Sequence, residues 1–186
     1  MPSEPSSKLP EIPRSIVLIG LMGAGKSAVG RRLAARLGLP FIDADTEIEK
    51  AAGGSIEDIF EAHGEVAFRD GERRVIMRLM NGPKAVLATG GGAFMAPRTR
   101  QVIKENGISV WLRADLELLL ERTSRRSNRP LLQRGDPRQI LARLIEERYP
   151  VYAEADTVVD SANVPLHVMV DRVAAALREH LERSQP

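Results

Sequence analysis

Short apolar runs alternate with longer amphipathic stretches along the chain. Ser15 to Gly20 (SIVLIG) is almost continuously apolar, the pattern of a strand buried on both faces of a parallel sheet. From Lys26 to Leu37 the apolar positions thin to Val29, Leu33 and Leu37, a recurrence that predicts a helix, with Gly38 placed to end it. Phe41 and Ile42 form a short second strand ending at Asp43. Thr46 to Glu49 reads as a capping box, Ser55 to Asp58 starts another helix, and Glu65 to Met80 is a longer one. Ala85 to Ala88 predicts a third strand running into Gly90-Gly91-Gly92. A helix after Pro97, a strand over Ser109–Leu112 and a helix from Leu116 to about Arg122 follow. Beyond a polar, arginine-rich loop at 123–135 come a helix from Pro137 to about Tyr149, a strand at Thr157–Asp160 and a last helix after Pro165. Five strands alternating with helices predict a three-layer α/β/α domain around a five-stranded parallel sheet.

Composition narrows the chemistry. The 186 residues suit one domain, at 15–181, flanked by a Pro- and Ser-rich tail at 1–14 and a short tail at 182–186. With 27 basic and 25 acidic residues the net charge is only +2, and aromatics make up 4%, which argues against a nucleic-acid partner. No apolar run reaches the ~18 residues that span a bilayer, so no membrane partner is expected. Cysteine is absent, which removes disulfides, thiolate zinc sites and a cysteine nucleophile and suits a cytoplasmic protein. His63, His167 and His180 are scattered. The remaining chemistry rests on Asp, Arg, Lys and backbone amides.

Gly20 to Ser27 reads GLMGAGKS, a full G-x-x-x-x-G-K-[ST] between a predicted buried strand and a predicted helix. Its backbone N–H groups suit phosphate oxygens, Lys26 would reach the β- and γ-phosphates, and the Ser27 hydroxyl would ligate Mg²⁺. No N-K-x-D element for guanine is present, so ATP is the expected nucleotide. Asp43 and Asp45 stand where open α/β sheets place ligands. Asp43 suits a Mg²⁺ water shell and Asp45 suits accepting or orienting a hydroxyl proton, while the same residues could equally form a helix-capping turn.

Two further helices carry charges on their apolar stripes. Val75, Phe68, Leu79, Ile76 and Met80 share a face with Arg69 and Glu72, which must therefore pair with each other or face a polar cleft. Arg148 lies on the stripe of Leu144, Leu141 and Ile145, whereas Arg143, Glu146 and Glu147 point away. Two inward guanidiniums beside a nucleotide pocket suit bidentate capture of a carboxylate. The Gly90–Gly92 run is either a ligand-contacting backbone or a plain flexible turn. The loop holding Arg125, Arg126, Arg129 and Arg134 reads as a kinase-type lid or as a solvated basic face.

The ordered set GLMGAGKS at 20–27, FIDAD at 41–45, FRDGE at 68–72, ATGGGA at 88–93, RPLL at 129–132 and ERYPVY at 147–152 resembles the shikimate kinases and covers most of the chain. That resemblance implies a P-loop, nucleoside-monophosphate-kinase-like fold with a mobile lid at about 123–135. It also implies transfer of the ATP γ-phosphate to the 3-hydroxyl of shikimate, on the route to chorismate and the aromatic amino acids, by a cytoplasmic monomer.

The residue roles implied by the resemblance follow the same motifs. Arg69 and Arg148 would clamp the shikimate carboxylate, with Gly91 and Gly92 as backbone contacts and Glu72 supporting Arg69. Asp45, Lys26 and Arg129 would be catalytic, Asp45 also binding the shikimate hydroxyls. Gly23, Ala24, Gly25, Lys26, Ser27, Ala28, Arg122 and Arg129 would bind nucleotide, with Arg122 against adenine. Ser27 and Asp43 would hold Mg²⁺. Ala28 departs from the Thr common in the family, but the Ser27 hydroxyl is retained. A gluconate kinase is the nearest enzyme alternative, and a nucleic-acid-dependent ATPase or an inactive ATP-binding regulator stands in another class.

Overall fold

The computed structural model describes residues 9, 11–125, 132 and 134–186. Its strands are β1 (Ser15–Ile19), β2 (Phe41–Asp43), β3 (Val86–Ala88), β4 (Gly107–Arg113) and β5 (Thr157–Asp160). They form one parallel sheet in the order β2-β3-β1-β4-β5. Central β1 is buried along its whole length, as its continuous apolar run requires, and pairs with β3 on one side and β4 on the other.

The helices are α1 (Lys26–Leu37), α2 (Ala44–Ala52), α3 (Ile56–Met80), α4 (Pro97–Asn106), α5 (Leu116–Ser124), α6 (Pro137–Tyr152) and α7 (Leu166–Arg183). Helix α1 packs beside α7 and α3 beside α4, against a core that includes Ile16, Leu18, Leu33, Ile76, Leu87, Ile103 and Val173. A small second cluster of Ile48, Phe68 and Val75, joined by Ile56, Ile59 and Phe60, ties α2 to α3.

The order of the strands creates the site. β1 leads through α1 to β2 on one side, while β3 leads through α4 to β4 across β1 on the other. The loops after β1 and β3 therefore part at the carboxyl edge, opening a crevice where such sheets take ligands. The glycine-rich loop follows β1, the triple glycine follows β3, and Asp43, paired with Ala88, closes the row at the end of β2.

Several predicted boundaries move. The capping box expected at Thr46–Glu49 does not start a helix: α2 begins earlier, and Asp43 Oδ1 caps it by accepting from the Thr46 N–H at 3.2 Å. The box at Ser55–Asp58 does form, with both reciprocal bonds. The two helices expected on either side of Gly64 merge into α3 across a break at that residue, whose φ of 79° and ψ of 174° are non-helical and suit glycine. Helix α6 continues past Tyr149 through Pro150 to Tyr152. At the termini, Ile12 lies within the segment whose composition suggests a tail but is buried at 6% exposure, and α7 runs to Arg183. Residues 126–131 and 133 of the expected lid, Arg126 and Arg129 among them, lie outside the described residues.

Candidate active site

A cavity of about 750 Å³ opens at the carboxyl edge of the sheet, and every described residue to which the resemblance gives a role lines it. Gly23, Ala24, Gly25, Lys26, Ser27 and Ala28 form one wall. Gly25 takes a left-handed φ of 97° just ahead of α1, which has neither a side-chain cap nor an acidic residue in its first turn. The first N–H groups of that helix thus face the cavity without a competing carboxylate, the arrangement that suits phosphate oxygens. Lys26 Nζ folds over the loop, donating to the Gly20 carbonyl at 2.6 Å and the Leu21 carbonyl at 3.2 Å.

Arg122, from α5, reaches beneath the same loop. Its Nη1 donates to the carbonyls of Gly23 and Ala24 at 3.1 and 3.3 Å and to Ser161 Oγ at 3.0 Å, and its Nη2 donates to the Ala162 carbonyl at 2.9 Å. These four bonds fix the guanidinium beside the phosphate loop, and a planar guanidinium can stack on a base. Ser161 Oγ also donates to the Ala24 carbonyl at 3.0 Å, locking the loop after β5 to the phosphate loop. The motifs did not nominate Ser161, although its position directly after β5 at the carboxyl edge is a signal that finds it.

Across the cavity, the three consecutive glycines each stand against one charged side chain. A Cβ on Gly90 would lie 2.7 Å from Asp45 Oδ1, one on Gly91 2.9 Å from Arg148 Nη1, and one on Gly92 2.7 Å from Arg69 Cζ. A Cβ at any of the three would push that side-chain tip aside, so the glycines let the charged groups approach the main chain this closely. The triple glycine is therefore the floor on which Asp45 from α2, Arg148 from α6 and Arg69 from α3 converge.

Arg69 is not left unpaired on its apolar stripe. Its Nη1 donates to Glu72 Oε1 at 2.8 Å. Burial pushes the Glu72 carboxyl above its ordinary value of 4.5, with Arg69 opposing the rise. Burial likewise pushes Asp45 above 3.8; the neighbouring Asp43 adds to the rise, and Lys26 and Arg69 oppose it. A half-buried carboxylate that holds a proton more tightly than an exposed one is a better base for a hydroxyl.

Asp43 realises the capping alternative left open by the motifs. Its Oδ1 holds the α2 cap, while the residue also lines the cavity, as do Ser27 and Lys26. The Ser27 hydroxyl and the Asp43 carboxylate are hard oxygen donors that fit Mg²⁺. No group of three or more His, Cys, Asp or Glu able to hold a metal occurs among the described residues.

Tyr152 is a further residue at this wall that the motifs did not single out. It is fully buried, and its hydroxyl donates to the Gly91 carbonyl. Its place one turn beyond Arg148, on the same stripe, is the signal in the sequence.

The chain is similar to known proteins over most of its length. The family model described as shikimate kinase matches residues 22–178. A shikimate kinase of Paramagnetospirillum magneticum is 62% identical over 171 residues, covering 92% of this chain and 88% of the relative. The solved structure of a shikimate kinase from Acinetobacter baumannii in complex with shikimate superposes with a TM-score of 0.85 at 41% identity, covering 95% of this chain and 97% of that one. A gluconokinase from Sinorhizobium meliloti superposes with a TM-score of 0.60 at 23% identity, a likeness of fold alone.

Proposed function

The chain belongs to the shikimate kinase family, and from that premise we propose how its cleft transfers the γ-phosphoryl group of ATP to the 3-hydroxyl of shikimate, giving shikimate 3-phosphate and ADP. The reaction is a step of chorismate and aromatic amino acid biosynthesis. The observation that carries the division of roles is the convergence of Asp45, Arg69 and Arg148 on Gly90–Gly92 in the cavity that the phosphate loop also lines.

In this reading Arg69 and Arg148 hold the shikimate carboxylate as a bidentate pair of clamps, with the backbone of Gly91 and Gly92 against the ring. Glu72 fixes the Arg69 rotamer through the 2.8 Å bond. The carboxylate anchor sets the opposite side of the ring toward Asp45, which takes the hydroxyl proton as the oxygen attacks. The phosphate-loop amides from Gly23 to Ala28 hold the β- and γ-phosphates. Lys26 exchanges its bonds to the Gly20 and Leu21 carbonyls for phosphate oxygens and follows the charge onto the leaving group. Arg122 offers a flat guanidinium face to adenine. Ser27 and Asp43 would hold Mg²⁺, which when bound neutralises charge on the β/γ oxygens. Arg129 is assigned to the transferring phosphoryl group on its motif alone.

We propose a cytoplasmic monomer. The absence of cysteine supports that compartment, and no helix among the described residues is long and apolar enough to cross a membrane.

The direct test is ADP release measured with ATP and Mg²⁺, with and without shikimate, and with gluconate in its place. Shikimate-dependent turnover is expected. Folded protein that turns over gluconate and not shikimate, or that shows no acceptor dependence, would end this reading.

A further inference from the structure

We propose that Tyr152 is a positioning residue for the carboxylate of the acceptor, holding the Gly91–Gly92 peptide and the Arg148 guanidinium in a single arrangement; this rests on the assignment of Arg148 and the glycines to shikimate. Tyr152 ends α6 and is 0% exposed. Its ring belongs to an aromatic wall, edge-on to Trp111 at 5.8 Å between centroids, with Tyr149 at 6.1 Å and Phe94 at 6.4 Å. A phenylalanine would fill that place equally well, so packing does not account for the hydroxyl. A buried hydroxyl without a partner is costly, and this one has its partner at the cavity wall.

Two contacts define the role. The hydroxyl donates to the Gly91 carbonyl. A trans peptide points its C=O and N–H in opposite directions, and the chain has no cis peptide bond among its described residues. The bond that turns the Gly91 carbonyl inward to Tyr152 therefore turns the Gly92 N–H the other way, toward the cavity that both glycines line. The second contact is Arg148. A Cβ on Gly91 would lie 2.9 Å from Arg148 Nη1 and 3.8 Å from Tyr152 Oη, so guanidinium, glycine backbone and phenol meet at one point. One buried hydroxyl thus fixes the direction of a backbone donor and sits against the cation that shares its ligand.

The same helix supplies a matched control. Tyr149 also donates its hydroxyl to a backbone carbonyl, that of Ala114, which does not line the cavity. Tyr149 and Tyr152 are the only two tyrosines in the chain.

The experiment is steady-state kinetics of the full chain with Tyr152→Phe and Tyr149→Phe. Tyr152→Phe is expected to raise the KM for shikimate about tenfold, the worth of a lost hydrogen bond, with the KM for ATP within about twofold of wild type. The increase should largely vanish with shikimate methyl ester, which lacks the carboxylate. Tyr149→Phe should leave both KM values in place at a similar loss of melting temperature. An unchanged shikimate KM in Tyr152→Phe, or parallel changes in the two variants or the two substrates, overturns the proposal. Should Tyr152→Phe not fold, 3,5-difluorotyrosine incorporated into the Tyr149→Phe protein keeps the ring of Tyr152 while acidifying its hydroxyl, which changes the bond it donates to the Gly91 carbonyl. It must still shift the shikimate KM and not the ATP KM, and no shift overturns the proposal. Wild-type protein without shikimate-dependent turnover would instead refute the functional reading on which this one stands.

Discussion

The Arg69 guanidinium donates to Glu72 Oε1 at 2.8 Å across one turn of α3, with the glutamate side chain 2% exposed and the arginine side chain 28%. The pair is asymmetric, because the carboxylate is sealed in the protein and the cation reaches the cavity. Removing the two partners should therefore fail in different ways. Arg69→Met strands a buried carboxylate and is expected to cost about 3 kcal/mol of stability at neutral pH. Glu72 already has a raised pKa, and losing its partner raises it further, so the folded state of the variant binds that proton more tightly than the unfolded chain does. The destabilisation is small below pH 4.5 and grows as pH rises through the folded-state value. Urea titrations at several pH values check the slope. Glu72→Gln should instead spare most of the stability and raise the shikimate KM by roughly tenfold, since its loss frees the arginine rotamer.

Asp45→Asn separates chemistry from binding. Loss of the base is expected to lower kcat by about 10²- to 10⁴-fold while the affinity for ATP, read by equilibrium titration, stays within about twofold. The melting temperature at neutral pH should rise. Burial and Asp43 raise the Asp45 pKa, so its ionised form opposes folding above that pKa, and a neutral isostere removes the penalty.

The raised Asp45 pKa also sets the acid limb of activity. The base must be deprotonated, so kcat/KM is expected to fall as pH drops, with its midpoint above the ordinary 3.8 of an aspartate. A pH profile with ATP saturating and shikimate limiting reads that midpoint. Substituting Asp43→Asn removes a neighbour that raises it and should move the midpoint down.

Arg148→Lys keeps the charge and loses the fork. Its expected effect is a shikimate KM raised by about tenfold or more with little change in the KM for ATP, because an ammonium cannot pair bidentately with a carboxylate. Arg148→Met should weaken binding further, and the difference between the two measures the contribution of charge alone.

Much of the architecture is written in local patterns. The apolar run at Ser15–Ile19 and the recurrence of Val29, Leu33 and Leu37 suffice for β1 and α1, and strand-helix alternation implies a parallel sheet. The stripe on α3 shows that Arg69 and Glu72 face inward, and the pair forms there. What local patterns lack is the identity of the group on the far side. The bond between Tyr152 and Gly91 spans 61 positions, and that between Arg122 and Gly23 spans 99. No periodicity encodes such distances. Thr46 misleads for a related reason: a capping residue is recognised by where the helix starts, and the packing of buried Ala44 and Ile48 starts α2 before it.

The floor formed by Gly90, Gly91 and Gly92 has a consequence for inhibition. Each of these positions already abuts one of Asp45, Arg148 and Arg69, so any side chain added there pushes aside the tip of a group assigned to the acceptor. A competitive compound seated on that stretch of main chain would meet a surface where a substitution that blocks the compound also disturbs one of these three side chains. Escape would have to arise elsewhere on the lining, among side chains such as Ile56 and Phe60.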